Sequence, residues 1–123
     1  MAKIVVIDDS KLMRNLLRHL LERAGHEVET WEEVTAMEIP DRIGKGNPDL
    51  VITDYQMPGC NGLSVARMVK KTKPGIPVVV LTATHDPSMV DAMTRQEVSG
   101  ILYKPLKEDE LLAAVTRALA QST

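Results

Sequence analysis

Apolar residues gather in four short continuous runs along the chain: Ile4–Ile7, Leu50–Thr53, Val78–Leu81 and Ile101–Tyr103. None alternates with polar residues. Continuous β-branched runs of this length predict strands covered on both faces, as in a parallel sheet between helices. A fifth, weaker run, Glu27 to Trp31, alternates and carries charge. It predicts an edge strand with one side toward solvent. Between the runs the period changes to that of a helix. Ser10 stands as an N-cap before a stripe of Met13, Leu16, Leu17, Leu20, Leu21 and Ala24, and Gly25 ends it. A second stripe joins Leu63, Ala66, Met68 and Val69 and closes at Pro74-Gly75. Asp86-Pro87 pairs a cap with a proline suited to a first helical turn, ahead of Met89, Val90 and Met93. Glu108, Leu111, Leu112, Val115 and Leu119 form the last stripe. Between Glu32 and Lys45 the pattern is weakest, and Pro40 predicts a break or kink in any helix there.

Strand followed by helix, repeated with short loops, predicts an α/β fold with a parallel sheet and helices on both faces. Right-handed crossovers then restrict the topology to a few doubly wound arrangements. The 123 residues fit one domain, 1–123, with no composition shift or linker.

Composition narrows the function classes. Fifteen basic against seventeen acidic side chains leave a formal net charge of -2, which gives no case for direct nucleic-acid binding or a polybasic membrane anchor. The apolar runs fall far short of a membrane span. The single cysteine, Cys60, allows no internal disulfide and suits a reducing cytoplasm, the expected location. It has no His and Asn/Asp context to activate it and reads as a small loop or core residue. Met1 to Ile4 enters a strand at once, leaving no room for a signal peptide. The region Ala120 to Thr123 reads as a frayed end.

In an open α/β sheet, sites form beyond the carboxyl ends of the strands. At those ends stand Asp8 and Asp9, then Asp54, then Thr82, then Lys104 and Pro105. Three carboxylates brought to one edge repel one another and require positive charge. Lys104 is one source and a divalent cation the other. Hard oxygen ligands in a cluster select Mg²⁺ or a similar ion. An ion, an ammonium and a hydroxyl around an aspartate are the equipment of phosphoryl transfer, with the aspartate as acceptor.

The ordered pieces Asp8-Asp9-Ser10, Asp54-Tyr55-Gln56-Met57-Pro58 with Gly62, Thr82-Ala83 and Lys104-Pro105 resemble the response-regulator receiver domain of two-component signalling, from the first strand to the last helix. The resemblance implies a flavodoxin-like sheet of five strands in the order 2-1-3-4-5. It implies a switch, not an enzyme, in which Asp54 takes a phosphoryl group from a sensor histidine kinase or a phosphotransfer protein. Asp9, Asp54 and the Gln56 backbone carbonyl would ligate Mg²⁺, with Asp8 acting through a metal-bound water. Lys104 would pair with Asp54 or a phosphoryl oxygen, and Thr82 would turn its hydroxyl onto that group. The Lys104-Pro105 bond is expected to be cis. Gln56 and Thr84 occupy positions that tune water access to the acyl phosphate. Gly62 is expected to permit close packing or an unusual backbone angle, and Met57-Pro58 to shape the loop.

The chain departs from the family pattern at the switch position three residues before the lysine. Many members carry an aromatic residue there, whereas this chain has Ile101. Tyr103 directly precedes Lys104 and faces away from Leu102. Signalling is therefore expected to rest on Thr82 and movement of the 83–90 loop and helix. His19, His26 and His85 lack metal-ligand spacing and read as surface or structural residues. Donors in this family dock near the first helix, which here bears Lys11, Arg14, Arg18 and Arg23; a solvated polar face explains any one of these equally well. Output passes to a downstream protein target or to an output domain outside this chain. A degenerate receiver acting as a phosphorylation-independent binding module is the alternative. An aspartyl-phosphate phosphatase needs a second acid two residues after its nucleophile, where this chain has Gln56. A nucleotide- or flavin-binding domain needs a glycine-rich turn where it has Asp8-Asp9-Ser10.

Overall fold

The computed structural model describes residues 2–121. Five strands alternate with five helices: β1 (Lys3–Ile7), α1 (Lys11–Arg23), β2 (Glu27–Trp31), α2 (Ile39–Gly46), β3 (Leu50–Asp54), α3 (Gly62–Thr72), β4 (Val78–Thr82), α4 (Pro87–Arg95), β5 (Gly100–Tyr103) and α5 (Glu108–Gln121). All strands are parallel in one sheet, ordered β2-β1-β3-β4-β5. This is the doubly wound, flavodoxin-like arrangement expected from the strand runs and the resemblance. The reversal of strand order falls between β1 and β3, the place where such sheets open a crevice.

The strand runs are unbroken because both faces of the sheet are covered. On one face Ile4, Val6, Leu50, Ile52, Val79, Leu81 and Leu102 pack under α1 and α5. On the other, Val5, Ile7, Val51, Val78 and Val80 pack under α2, α3 and α4. Alternate residues of each strand thus serve two cores. The edge assignment of β2 holds: its Glu27 and Glu29 are exposed while Trp31 is buried.

Ser10 and Asp86 cap their helices as expected, and Asn61 caps α3 without having stood out in the pattern. The Ser10 hydroxyl accepts the Met13 N–H, Asn61 accepts that of Ser64, and Asp86 accepts that of Ser88. Gly25 takes φ +96° just beyond α1. The apolar stripe of α1 is narrower than predicted. Leu17, Leu20 and Leu21 are buried, whereas Leu16 and Ala24 are exposed.

Two expectations are corrected. Pro40 does not break a helix; it lies in the first turn of α2, where the missing N–H has no helical partner to lose. The helix begins where the sequence pointed to a break, and it ends at Asn47 in the left-handed conformation (φ 45°). At the other end, α5 continues through Gln121, so Ala120 is helical; residues 122–123 lie outside the described ones.

Candidate functional site

Strand ends assemble the site. The backbone leaving β1 places Asp8 inside, 1% exposed, and Asp9 outside in solvent. Asp54 closes β3 at 7% exposure and Thr82 closes β4 at 2%. Lys104 follows β5. These residues, scattered over the sequence, converge because parallel strands share one carboxyl edge.

Asp8, Asp9 and Asp54 each bring a carboxylate oxygen within 4.8 Å of the others. The Lys104 ammonium lies 3.1 Å from Asp54 Oδ1, and Lys104 donates its backbone N–H to the Thr82 carbonyl at 2.9 Å. Asp8 Oδ1 accepts the Ser10 N–H at 2.9 Å, but Asp8 Oδ2 is buried without a hydrogen-bond partner. Burial pushes the Asp8 carboxyl above its ordinary proton affinity. The Ser10 N–H opposes this, the Asp54 charge adds to it, Lys104 opposes it, and Asp9 adds a smaller push. A buried carboxylate with one oxygen orphaned, clustered with two other carboxylates, is the chemistry a hard divalent cation satisfies. The residues therefore fit a metal ion.

Around this cluster the loops are tightly tied. Gly62 donates to the Tyr55 carbonyl at 2.7 Å. A Cβ on Gly62 would stand 2.8 Å from the Asp54 carbonyl oxygen and 2.9 Å from Tyr55 Cα. Of the two roles expected of Gly62, close packing is the one the structure shows. Thr82 Oγ1 accepts the Thr84 N–H at 3.1 Å, and Thr84 Oγ1 accepts the Asp86 N–H at 3.2 Å. Gln56 is exposed beside the cluster, and Thr84 is half-buried. Ile101 is also half-buried and packs against the core beneath α2, α3 and α4, one residue from Leu102 in the opposite core. The Lys104-Pro105 bond is cis. Cys60 is a buried thiol whose proton affinity is raised by burial.

Arg14, expected in donor docking or on a solvated polar face, and His85, expected as a surface or structural residue, also border the site. The Arg14 guanidinium donates to the Asp8 carbonyl at 2.7 Å and lies 3.5 Å from Glu32. It links the loop after β1 to the loop after β2. His85 stacks on Tyr103. Nothing in the local pattern marks these contacts, because each joins segments distant in sequence.

The comparisons with known proteins agree with this geometry. A family model described as the response regulator receiver domain matches residues 4–116. The chain belongs to the receiver-domain family. The receiver is 36% identical over 121 residues to the response regulator MprA of Mycobacterium sp. (strain KMS), covering 98% of this chain and 51% of that protein. It is 31% identical over 115 residues to the DNA-binding transcriptional regulator NtrC of Escherichia coli K12, covering 94% of this chain and 24% of that protein. The chain thus spans about half or a quarter of the curated relatives it matches. Among solved structures, a response regulator receiver domain protein from Clostridium thermocellum superposes with a TM-score of 0.88 at 30% identity, covering 98% of this chain and 96% of that one. The chemotaxis protein CheY4 of Vibrio cholerae does so with a TM-score of 0.85 at 29% identity, over 96% and 98% of the two chains. Receiver domains are phosphoacceptor switches of two-component systems that interact with histidine kinases or phosphotransfer proteins. Among the described residues, no helix is long and apolar enough to cross a membrane.

Proposed function

We propose that the chain is a phosphorylation-driven signalling switch in which Asp54 accepts a phosphoryl group from a histidine kinase or a phosphotransfer protein. The observation that carries this reading is the convergence of Asp8, Asp9 and Asp54 within 4.8 Å, with Lys104 3.1 Å from Asp54. In the transfer, a carboxylate oxygen of Asp54 attacks phosphorus, the P–N bond of the donor phosphohistidine breaks, and the imidazole leaves with the electron pair. The product is an acyl phosphate on Asp54.

Asp9, Asp54 and the Gln56 carbonyl would hold Mg²⁺, with Asp8 reaching it through a water. Bound there, the ion supplies positive charge against the phosphoryl oxygens. Lys104 is already paired with Asp54 and supplies a point charge to the same oxygens. The Thr82 hydroxyl turns from its loop contact to donate to the phosphoryl group. Loss of the phosphoryl group requires water to attack phosphorus, and Gln56 and Thr84 flank its approach. Ile101 packs as a core residue, so the signal travels through Thr82 and the loop into α4. We read residues 1–123 as one receiver domain of the cytoplasm, whose output is a protein target or an output domain of a longer regulator.

Intact mass after incubation with acetyl phosphate tests the reading. The expected result is a single Mg²⁺-dependent phosphoryl adduct that is lost in Asp54→Asn. Absence of any adduct on the native chain overturns it and leaves a phosphorylation-independent binding module.

A further inference from the structure

The loop joining β4 to α4 is held mostly by its own backbone and hydroxyls. Thr82 accepts from Thr84, Thr84 from Asp86, and Asp86 from Ser88. His85 is different. Its ring lies against the ring of Tyr103 with centroids 4.1 Å apart and planes 10° from parallel. His85 directly follows Thr84, whose N–H holds the Thr82 hydroxyl. Tyr103 directly precedes Lys104, whose ammonium holds Asp54. The stack therefore bridges the two chain segments that carry Thr82 and Lys104.

We propose that His85 and Tyr103 are positioning residues, forming an aromatic clasp that holds the Thr82 loop in its resting place and so sets how readily Asp54 is phosphorylated. This inference rests on the proposed phosphoryl acceptance at Asp54. Thr82 can turn toward Asp54 in one of two ways: it abandons the Thr84 N–H, or it draws the loop along. In the second case His85 moves with Thr84 and must slide off Tyr103, which is held in β5 by its parallel pairing with β4. The clasp is closed while Asp54 is paired with Lys104 and Thr82 faces the loop, so it favours that resting arrangement. A contact made in only one of two states shifts their populations by its own free energy. His85 is exposed and Tyr103 half-buried, so removing the stack empties no core.

The test is the rate of Asp54 phosphorylation by acetyl phosphate with Mg²⁺, and the rate of decay after donor removal. It compares the native chain with His85→Ala, Tyr103→Leu, the double variant and Tyr103→Phe, after thermal unfolding has checked that each is folded. Each stack-breaking variant is expected to be phosphorylated faster by between about two- and tenfold, the rate equivalent of one aromatic pair. The double variant should match either single one, because both remove the same contact. Tyr103→Phe keeps the ring and should follow the native rate. Strictly additive effects, a Tyr103→Phe rate equal to that of Tyr103→Leu, or variants indistinguishable from a normally phosphorylated native chain would each overturn the clasp alone. A native chain that takes no phosphoryl group would overturn the proposed function and the clasp with it.

Discussion

Asp8 meets opposing demands. Burial raises its proton affinity against the Ser10 N–H, while Asp54 adds to the rise, Lys104 resists it and Asp9 adds to it again. The folded protein therefore binds a proton at Asp8 more tightly than the unfolded chain does. Between the ordinary aspartate value and the raised one the folded state holds more protons, so stability falls as pH rises through that window. Above it, the destabilisation is fully present. Asp8→Asn should flatten this part of the pH–stability curve and raise the neutral-pH melting temperature by a few degrees in EDTA, on the scale of functional-site strain. It should also weaken Mg²⁺ binding. Thermal unfolding across pH with chelator present would show the flattening, and an unchanged curve would count against burial as the cause. Gly62 answers to sterics instead. Its missing Cβ leaves room for the backbone that carries Asp54 and Tyr55. Gly62→Ala should cost about 1–3 kcal/mol in urea unfolding and slow phosphorylation, because the clash is with main chain that cannot rotate away. Asp8, Asp9, Asp54, Thr82 and Lys104 were legible in the sequence because each follows an apolar run. The Arg14 contacts and the His85–Tyr103 stack were not, since they depend on how a helix and a loop lie beside other segments.

At the scale of elements, the sequence marks a helix start where a side chain satisfies its own backbone. Ser10, Asn61 and Asp86 cap α1, α3 and α4, though only Ser10 and Asp86 stood out in the pattern. Asp86 accepts from both the backbone and the hydroxyl of Ser88. Asp86→Ala should destabilise the protein by about 1 kcal/mol and speed amide exchange in the first turn of α4 more than elsewhere. Uniform exchange changes would place the effect outside the cap. The error at Pro40 has a physical source. Proline disrupts a helix interior but suits its first turn, and no capping side chain marks where this helix starts. Glu38 precedes α2 without a side-chain capping bond, so the usual signal is absent there.

At the scale of the molecule, two cores share one sheet, which is why four strands read as unbroken apolar runs while β2 alternates. The same sheet brings the acidic cluster to one edge, where a bound cation would couple folding to ion binding. An ion bound only by the folded state adds about 2.7 kcal/mol when present at a hundred times its Kd. The melting temperature should therefore climb with Mg²⁺ in the native chain and stay nearly flat in Asp9→Asn. Parallel curves for the two would assign the stabilisation to a different site.

The outer strand β2 also bears on self-association. An open strand offers unpaired N–H and C=O groups to any neighbouring chain, and long apolar edges of this kind seed aggregation. Here Glu27 and Glu29 project from that edge, and the opposite edge strand, β5, is only four residues long. Two copies meeting edge to edge along β2 would bring like charges together. The carboxylates that interrupt the apolar pattern of this strand thus guard the sheet against growing into a neighbour.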